Sequence, residues 1–203
     1  MKLYFSPGAC SLSPHIILRE AGYTFDTEKV SLADKKTASG TDYRTINPKG
    51  YVPALQLDNG EVLTEGPAIV QYLADGKPET QLAPPAGTIE RYRLMEWLNF
   101  ISTELHKAFS PLFKPGTPAE TKQASRDAIA GRLDFVEPQL QKHAYLTGNQ
   151  FTVADAYLFT VLSWTRHLHF DLGRWPAVQE YLQRIAARPA VRAAMMAEGL
   201  IKE

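Results

Sequence analysis

The chain has 203 residues, a hydrophobic share of 44% and 22 basic against 22 acidic side chains, enough for one large domain or two small ones with an adequate core. The balanced charge supplies no basic excess for binding nucleic acid by counterion release, so the expected partners are small molecules or protein, with no nucleic acid and no membrane. The lone cysteine, Cys10, excludes an intramolecular disulfide and fits a reducing, cytoplasmic compartment, while leaving it able to pair with an external thiol. Met1-Lys2 leads straight into a short apolar run without a signal-peptide cleavage pattern, and no apolar run approaches the roughly 20 residues of a membrane span.

Leu3-Tyr4-Phe5 suits a buried strand, Pro7-Gly8 is a turn pair, and Ser11 and Ser13 are candidate caps for a helix over residues 12 to 21 that Gly22 ends. Cys10 therefore falls at a helix N-terminus. There the positive end of the helix dipole favours a thiolate, which makes Cys10 a candidate nucleophile or redox centre. The competing reading is a small buried hydrophobe. Phe25 to Val30 alternates like a second strand, and the βαβ order predicts a parallel pair. Residues 33 to 50 read as loop and short helix. Tyr51 to Leu57 and Glu61 to Leu63 flank an Asp58-Asn59-Gly60 turn as a β-hairpin, with Pro53 opening its first strand. Thr64-Glu65-Gly66-Pro67 starts a helix that runs to about Ala74, with Thr64 as its candidate cap and Pro67 in its first turn. A small α/β domain is thus expected over residues 1–80, ending in the Pro- and Gly-rich stretch from 76 to 87.

Residues 87–203 read as an all-helical domain. Leu94, Leu98, Ile101, Leu105, Ala108 and Leu112 form one apolar stripe along a long helix. A second helix covers about Ala119 to Lys142, with Pro138 as a kink or early stop. Thr152-x-x-Asp155 is a capping box leading into the apolar segment Ala156 to Trp164. Two more helices follow, near 177 to 187 and 190 to 197. Asn99, Thr103 and His106, spaced by four and three, share one helix face distinct from the apolar stripe. Their roughly 10 Å of helix rise matches an extended tripeptide. His15, His143, His167 and His169 have no acidic or thiol partner at metal-ligand spacing, so no metal site is expected.

Cys10 after the first strand, Val52-Pro53 before the third and Glu65 at the third helix, followed by an all-helical half, resemble a cytosolic glutathione transferase. The Pro-Gly-Ala-Cys-Ser and Glu104-Leu105-His106-Lys107 runs resemble the bacterial beta class. The resemblance covers essentially the whole chain and implies a thioredoxin-like α/β domain before a helical bundle, with glutathione as co-substrate bound between the two. It also implies a cis Val52–Pro53 bond, although most X-Pro bonds are trans. The implied glutathione contacts are Ala9, Cys10, Lys35, Val52, Pro53, Glu65, Gly66, Asn99, Thr103, Glu104 and His106. Among them, Glu65 takes the ammonium and Lys35 the glycine carboxylate. Many members carry Ser where this chain has Gly66, so one hydroxyl donor is missing.

The resemblance makes Cys10, Ser11 and His106 the catalytic candidates and implies a homodimer. Tyr4 and Ser6, close to where other classes place a catalytic hydroxyl, rank below them. The expected activity is attack of the glutathione thiolate on a hydrophobic electrophile, with Cys10-dependent thiol-disulfide chemistry beside it. Phe109, Phe113, Trp164 and His167 are candidate pocket residues that could equally be core or interface. Three alternatives stay open: a monothiol glutaredoxin-like thioltransferase, a reductive dehalogenase using Cys10, and a non-catalytic carrier of hydrophobic ligands.

Overall fold

A computed structural model describes residues 1 to 202. The chain divides into two compact units. One comprises Met1–Ala83 together with the chain from Ala187 on, and the other is Pro84–Ala186.

The first unit is built on a five-stranded mixed sheet in the order β3-β2-β1-β4-β5. Its strands are β1 (Lys2–Phe5), β2 (Asp26–Ser31), β3 (Lys36–Thr37), β4 (Ala54–Gln56) and β5 (Val62–Thr64). The central β1 pairs parallel with β2 and antiparallel with β4, so Leu3 faces Thr27 on one side and Leu55 on the other. The parallel pair and the β4–β5 hairpin are as expected from the sequence. Strand β3 was not expected, because its two residues are too short for any periodicity to register.

Helix α1 (Leu12–Glu20) is buried continuously from Leu12 to Leu18, and Gly22 follows it in the left-handed region at φ +67°. The expected serine cap is absent. Ser11 occupies the N-cap position without a side-chain cap bond, and the Ser13 hydroxyl has no hydrogen-bond partner among the described residues. Helix α2 (Gly66–Asp75) begins one residue later than expected, so that Glu65 and not Thr64 is its N-cap. The last helix of the chain, α8 (Pro189–Ala197), packs on α1, although the sequence order suggested the helical half. Arg188 ties this return to α1 through a two-pronged ion pair with Glu20, at 2.7 and 2.9 Å.

The second unit is helical. Helix α3 (Ile89–Phe100) passes without a break into a π-helical turn over Ile101–His106 and then into α4 (Lys107–Phe113). The apolar stripe runs through buried Leu94, Leu98, Ile101 and Leu105 to Phe109, whereas Ala108 and Leu112 are only half-buried. A π turn holds more residues per turn than an α turn, so a 3.6-residue pattern falls out of register beyond it. Helix α5 (Ala119–Lys142) contains Pro138 and continues past it for a further turn, so this proline is not a stop. Helix α6 (Val153–His167) is buried on nearly every side, and α7 (Pro176–Ala186) follows it. Buried Glu137 of α5 caps α7 from outside, its carboxylate accepting from the Ala177 and Val178 N–H groups at 3.0 Å each.

Candidate functional site

The β1–α1 loop is held by hydrogen bonds that begin at Ser6. The Ser11 hydroxyl accepts from the Ser6 N–H at 3.1 Å and donates to the Ser6 carbonyl at 3.2 Å, which folds Pro7, Gly8 and Ala9 into a closed turn. Ser11 is fully buried by this arrangement. Its hydroxyl therefore braces the loop. Glu198, beyond α8, holds the same turn by accepting from the Gly8 N–H at 2.9 Å, while its other carboxylate oxygen meets His15 Nδ1 at 2.8 Å. Tyr4 hydrogen-bonds the Gln56 side chain.

Cys10 is half-buried, and its Sγ lies 3.1 Å from the Val52 carbonyl. In this arrangement the thiol donates its proton to that carbonyl, so ionising it gives up the bond. The Val52–Pro53 peptide is cis. Pro53 and Ala54 carry the chain from there into β4, so the sheet core that includes Tyr4, Val30, Tyr43 and Ala54 anchors the backbone beside Cys10.

Glu65 has φ 71° and ψ 114°, a conformation costing a non-glycine residue on the order of 1–3 kcal/mol. Its carboxylate is largely exposed at the head of α2 and pairs with Lys49, whose ammonium also reaches the Thr64 hydroxyl at 3.0 Å. A cation, an anion and a helix N-terminus thus stand together in the first unit. Lys35, also left-handed at φ 56°, donates to the Gly50 carbonyl at 3.0 Å and lies over the Tyr51 ring. A Cβ added at Gly66 would approach nothing closer than Pro53 Cγ at 4.0 Å. Packing therefore does not demand glycine there.

In the second unit, His106 closes the π turn. Its Nδ1 lies 2.8 Å from the Tyr157 hydroxyl and its ring packs against Trp164 with centroids 4.9 Å apart. Burial, with a smaller push from Lys107, lowers its pKa from 6.5 to about 4, so the ring is neutral near pH 7. Asn99 and Thr103 are exposed and coupled through a bond from the Thr103 hydroxyl to the Asn99 carbonyl, at 2.9 Å. Glu104 pairs with Arg132 at 2.6 Å. His106, half-buried where Asn99 and Thr103 are exposed, instead makes its contacts with Tyr157 and Trp164. Trp164 receives the edges of Phe109 and Phe113 at 5.6 and 5.4 Å, and His167 stacks on Phe113 at 6.4 Å. Phe109 and Trp164 are buried, whereas Phe113 is exposed. The four candidates thus form one aromatic wall.

Residues 8–75 match the family model described as the glutathione S-transferase N-terminal domain, and residues 100–189 match the one for its C-terminal domain. The chain belongs to the glutathione S-transferase family. It is 50% identical over 200 residues to glutathione S-transferase GstA of Escherichia coli O157:H7, covering 98% of this chain and 100% of that relative. Among solved structures it is similar to the bacterial beta-class glutathione S-transferase of Sphingomonas chungbukensis, with 51% identity, a TM-score of 0.96 and coverage of 99% and 100% of the two chains. A sphingomonad glutathione S-transferase complexed with glutathione matches with 49% identity and a TM-score of 0.95, again over 99% and 100%.

Two residues of this family member escaped the sequence reading. Lys49 could have been found, because the turn Asn47-Pro48-Lys49-Gly50 directly precedes Tyr51-Val52-Pro53 and sets a cation near that motif. Tyr157 left no such signal, standing 51 positions from the histidine it touches.

Proposed function

We propose that this chain is a beta-class glutathione transferase that presents the glutathione thiolate to hydrophobic electrophiles. The observation carrying this reading is Cys10 Sγ resting on the Val52 carbonyl beside the cis Val52–Pro53 bond, in a chain matched by both glutathione S-transferase family models. Backbone groups at Val52, freed from sheet pairing by the proline that follows, pair with the extended tripeptide. Glu65 takes its ammonium, and the N–H groups that open α2 at Gly66 take the γ-glutamyl carboxylate. Lys35, with Lys49, supplies positive charge for the carboxylates. Ala9 and Cys10 border the sulfur, while Asn99, Thr103 and Glu104 add polar contacts from the helical unit.

The reaction needs the glutathione thiol to lose its proton to solvent water near neutral pH. Donors at the Cys10 backbone and His106 stabilise the anion. Its sulfur then attacks the electrophilic carbon, forming the thioether as the leaving group departs with the bonding electrons. Ser11 acts through the loop it braces. The aromatic wall of Phe113, Trp164 and His167 suits flat apolar electrophiles.

A second reading rests on Cys10 being half-buried and not sealed in the core. Its thiolate attacks oxidised glutathione, forms the Cys10–glutathione disulfide and releases one glutathione thiolate. Intact mass after incubation with oxidised glutathione, alongside chloronitrobenzene conjugation by wild type and Cys10→Ala, tests both readings. The expected result is one added glutathione on wild type, none on the variant, and conjugation retained within about tenfold. Neither adduct nor conjugation would leave a non-catalytic carrier as the better account.

We also propose a cytoplasmic homodimer. Ile89, Tyr92 and Met95 expose apolar surface along α3, which supports an interface there. Light scattering that gave the mass of one chain would remove the dimer.

A further inference from the structure

We infer that Tyr157 is a positioning residue that holds His106 in the tautomer with its proton on Nε2, making the histidine a hydrogen-bond donor instead of a base. The contact leaves two arrangements. Either the phenol donates to Nδ1, or Nδ1–H donates to the phenol oxygen. A phenol O–H is the more acidic donor and a neutral imidazole nitrogen the more basic acceptor, so the first is favoured. The single proton of the neutral ring is then left on Nε2.

The surroundings keep the ring in that orientation. Trp164 packs against it at 4.9 Å with planes at 66°, and the Tyr157 ring meets it edge-on at 6.0 Å. Exchanging the two nitrogens needs a ring flip against these contacts, in a site where Tyr157 is only 3% exposed. The low pKa set by burial agrees, since a bond accepted at Nδ1 exists only while the ring is unprotonated.

The catalytic consequence rests on the reading that His106 serves the glutathione sulfur. An imidazolium beside a thiolate can return the proton and quench the nucleophile. A neutral N–H donor stabilises the anion without that loss. Tyr157 therefore works through His106 and has no contact with the reacting atoms assigned to it.

The test is a long-range proton–nitrogen correlation spectrum of the full-length, ¹⁵N-labelled protein at pH 7, with the His106 signals identified by their loss in His106→Asn. The expected wild-type pattern is a bare Nδ1 and a protonated Nε2. In Tyr157→Phe, which keeps the ring and deletes the hydroxyl, both tautomers should appear. Conjugation kcat should fall about three- to tenfold, with the glutathione KM within about twofold. A protonated Nδ1 in wild type overturns the inference, as does Tyr157→Phe with a single tautomer and unchanged kcat. Should Tyr157→Phe not fold, the wild-type tautomer decides alone. If His106→Asn conjugates at the wild-type rate, the assignment of His106 to the sulfur site fails and the catalytic role of Tyr157 with it, whatever the tautomer. If His106→Asn is impaired while Tyr157→Phe is not, only the present inference falls.

Discussion

At the scale of single residues, the first unit concentrates charge and backbone strain at the head of α2. Glu65 keeps a conformation that a glycine would adopt freely, and a non-glycine residue is held there only when its surroundings over-determine it. Gly66 beside it is the converse, a glycine in a position that tolerates a side chain. Gly66→Ser should therefore add a hydroxyl donor at a helix N-terminus without a clash. The expected result is a glutathione KM lowered about two- to fivefold with unchanged kcat, the signature of added uniform binding. Initial rates at varied glutathione would show it, and a raised KM would mean that Gly66 is needed for close approach of the backbone to the ligand. Cys10 was readable as a candidate from its place before a helix start, whereas Val52-Pro53 and Glu65 became candidates only through the family resemblance. The bond between Ser11 and Ser6 was not readable, since a serine before a helix reads as a cap whether its hydroxyl turns forward to the helix or back to the loop.

Elements follow the sequence closely where periodicity is long and signals are local. The bounds of α5, the β4–β5 hairpin and the capping box of α6 were all expected. At the capping box Asp155 does more than cap. Its carboxylate accepts from the Thr152 N–H and the Leu146 N–H at 2.9 Å each and from the Tyr181 hydroxyl at 3.1 Å. Asp155→Ala leaves these buried donors without an acceptor, at about 1–3 kcal/mol each, so a loss of at least ~3 kcal/mol is expected in urea unfolding. Asp155→Asn keeps one carbonyl oxygen and should lose less. A loss below about 1 kcal/mol in the alanine variant would mean that water replaces the carboxylate. The π turn at Ile101–His106 is where element reading broke down. Helical spacing assumes 3.6 residues per turn, and no residue type in the turn announces the extra one.

For the molecule as a whole, two buried groups set opposing pH dependences. His106 has a folded pKa of about 4 against 6.5 unfolded. The unfolded chain binds more protons there, so this contribution is complete above pH 6.5 and is lost as pH falls towards 4. Asp155 is pushed by burial from 3.8 up to about 6, against the pull of its hydrogen-bond donors. The folded chain binds more protons there, so its contribution is complete below pH 3.8 and is lost as pH rises through 6. Between pH 4 and 6 the two largely offset each other. Relative to wild type, His106→Asn should gain stability on acidification from pH 6.5 to 4.5, and Asp155→Asn should lose it. Denaturant midpoints at the two pH values measure both, and parallel curves for all three proteins would contradict the assigned shifts.

The sequence by itself determined the element order apart from β3, the parallel first pair, the β4–β5 hairpin, the helical second half and the position of Cys10 before α1. These follow from turn residues, caps and hydrophobic periods, which act over a few neighbouring positions. Only the tertiary structure decided which groups meet. It returned α8 to α1, brought Lys49 to Glu65, set Cys10 Sγ on the Val52 carbonyl and turned His106 onto Tyr157 and Trp164. Such contacts join residues tens of positions apart, and they are chosen by the packing of whole elements against one another, which no local pattern encodes.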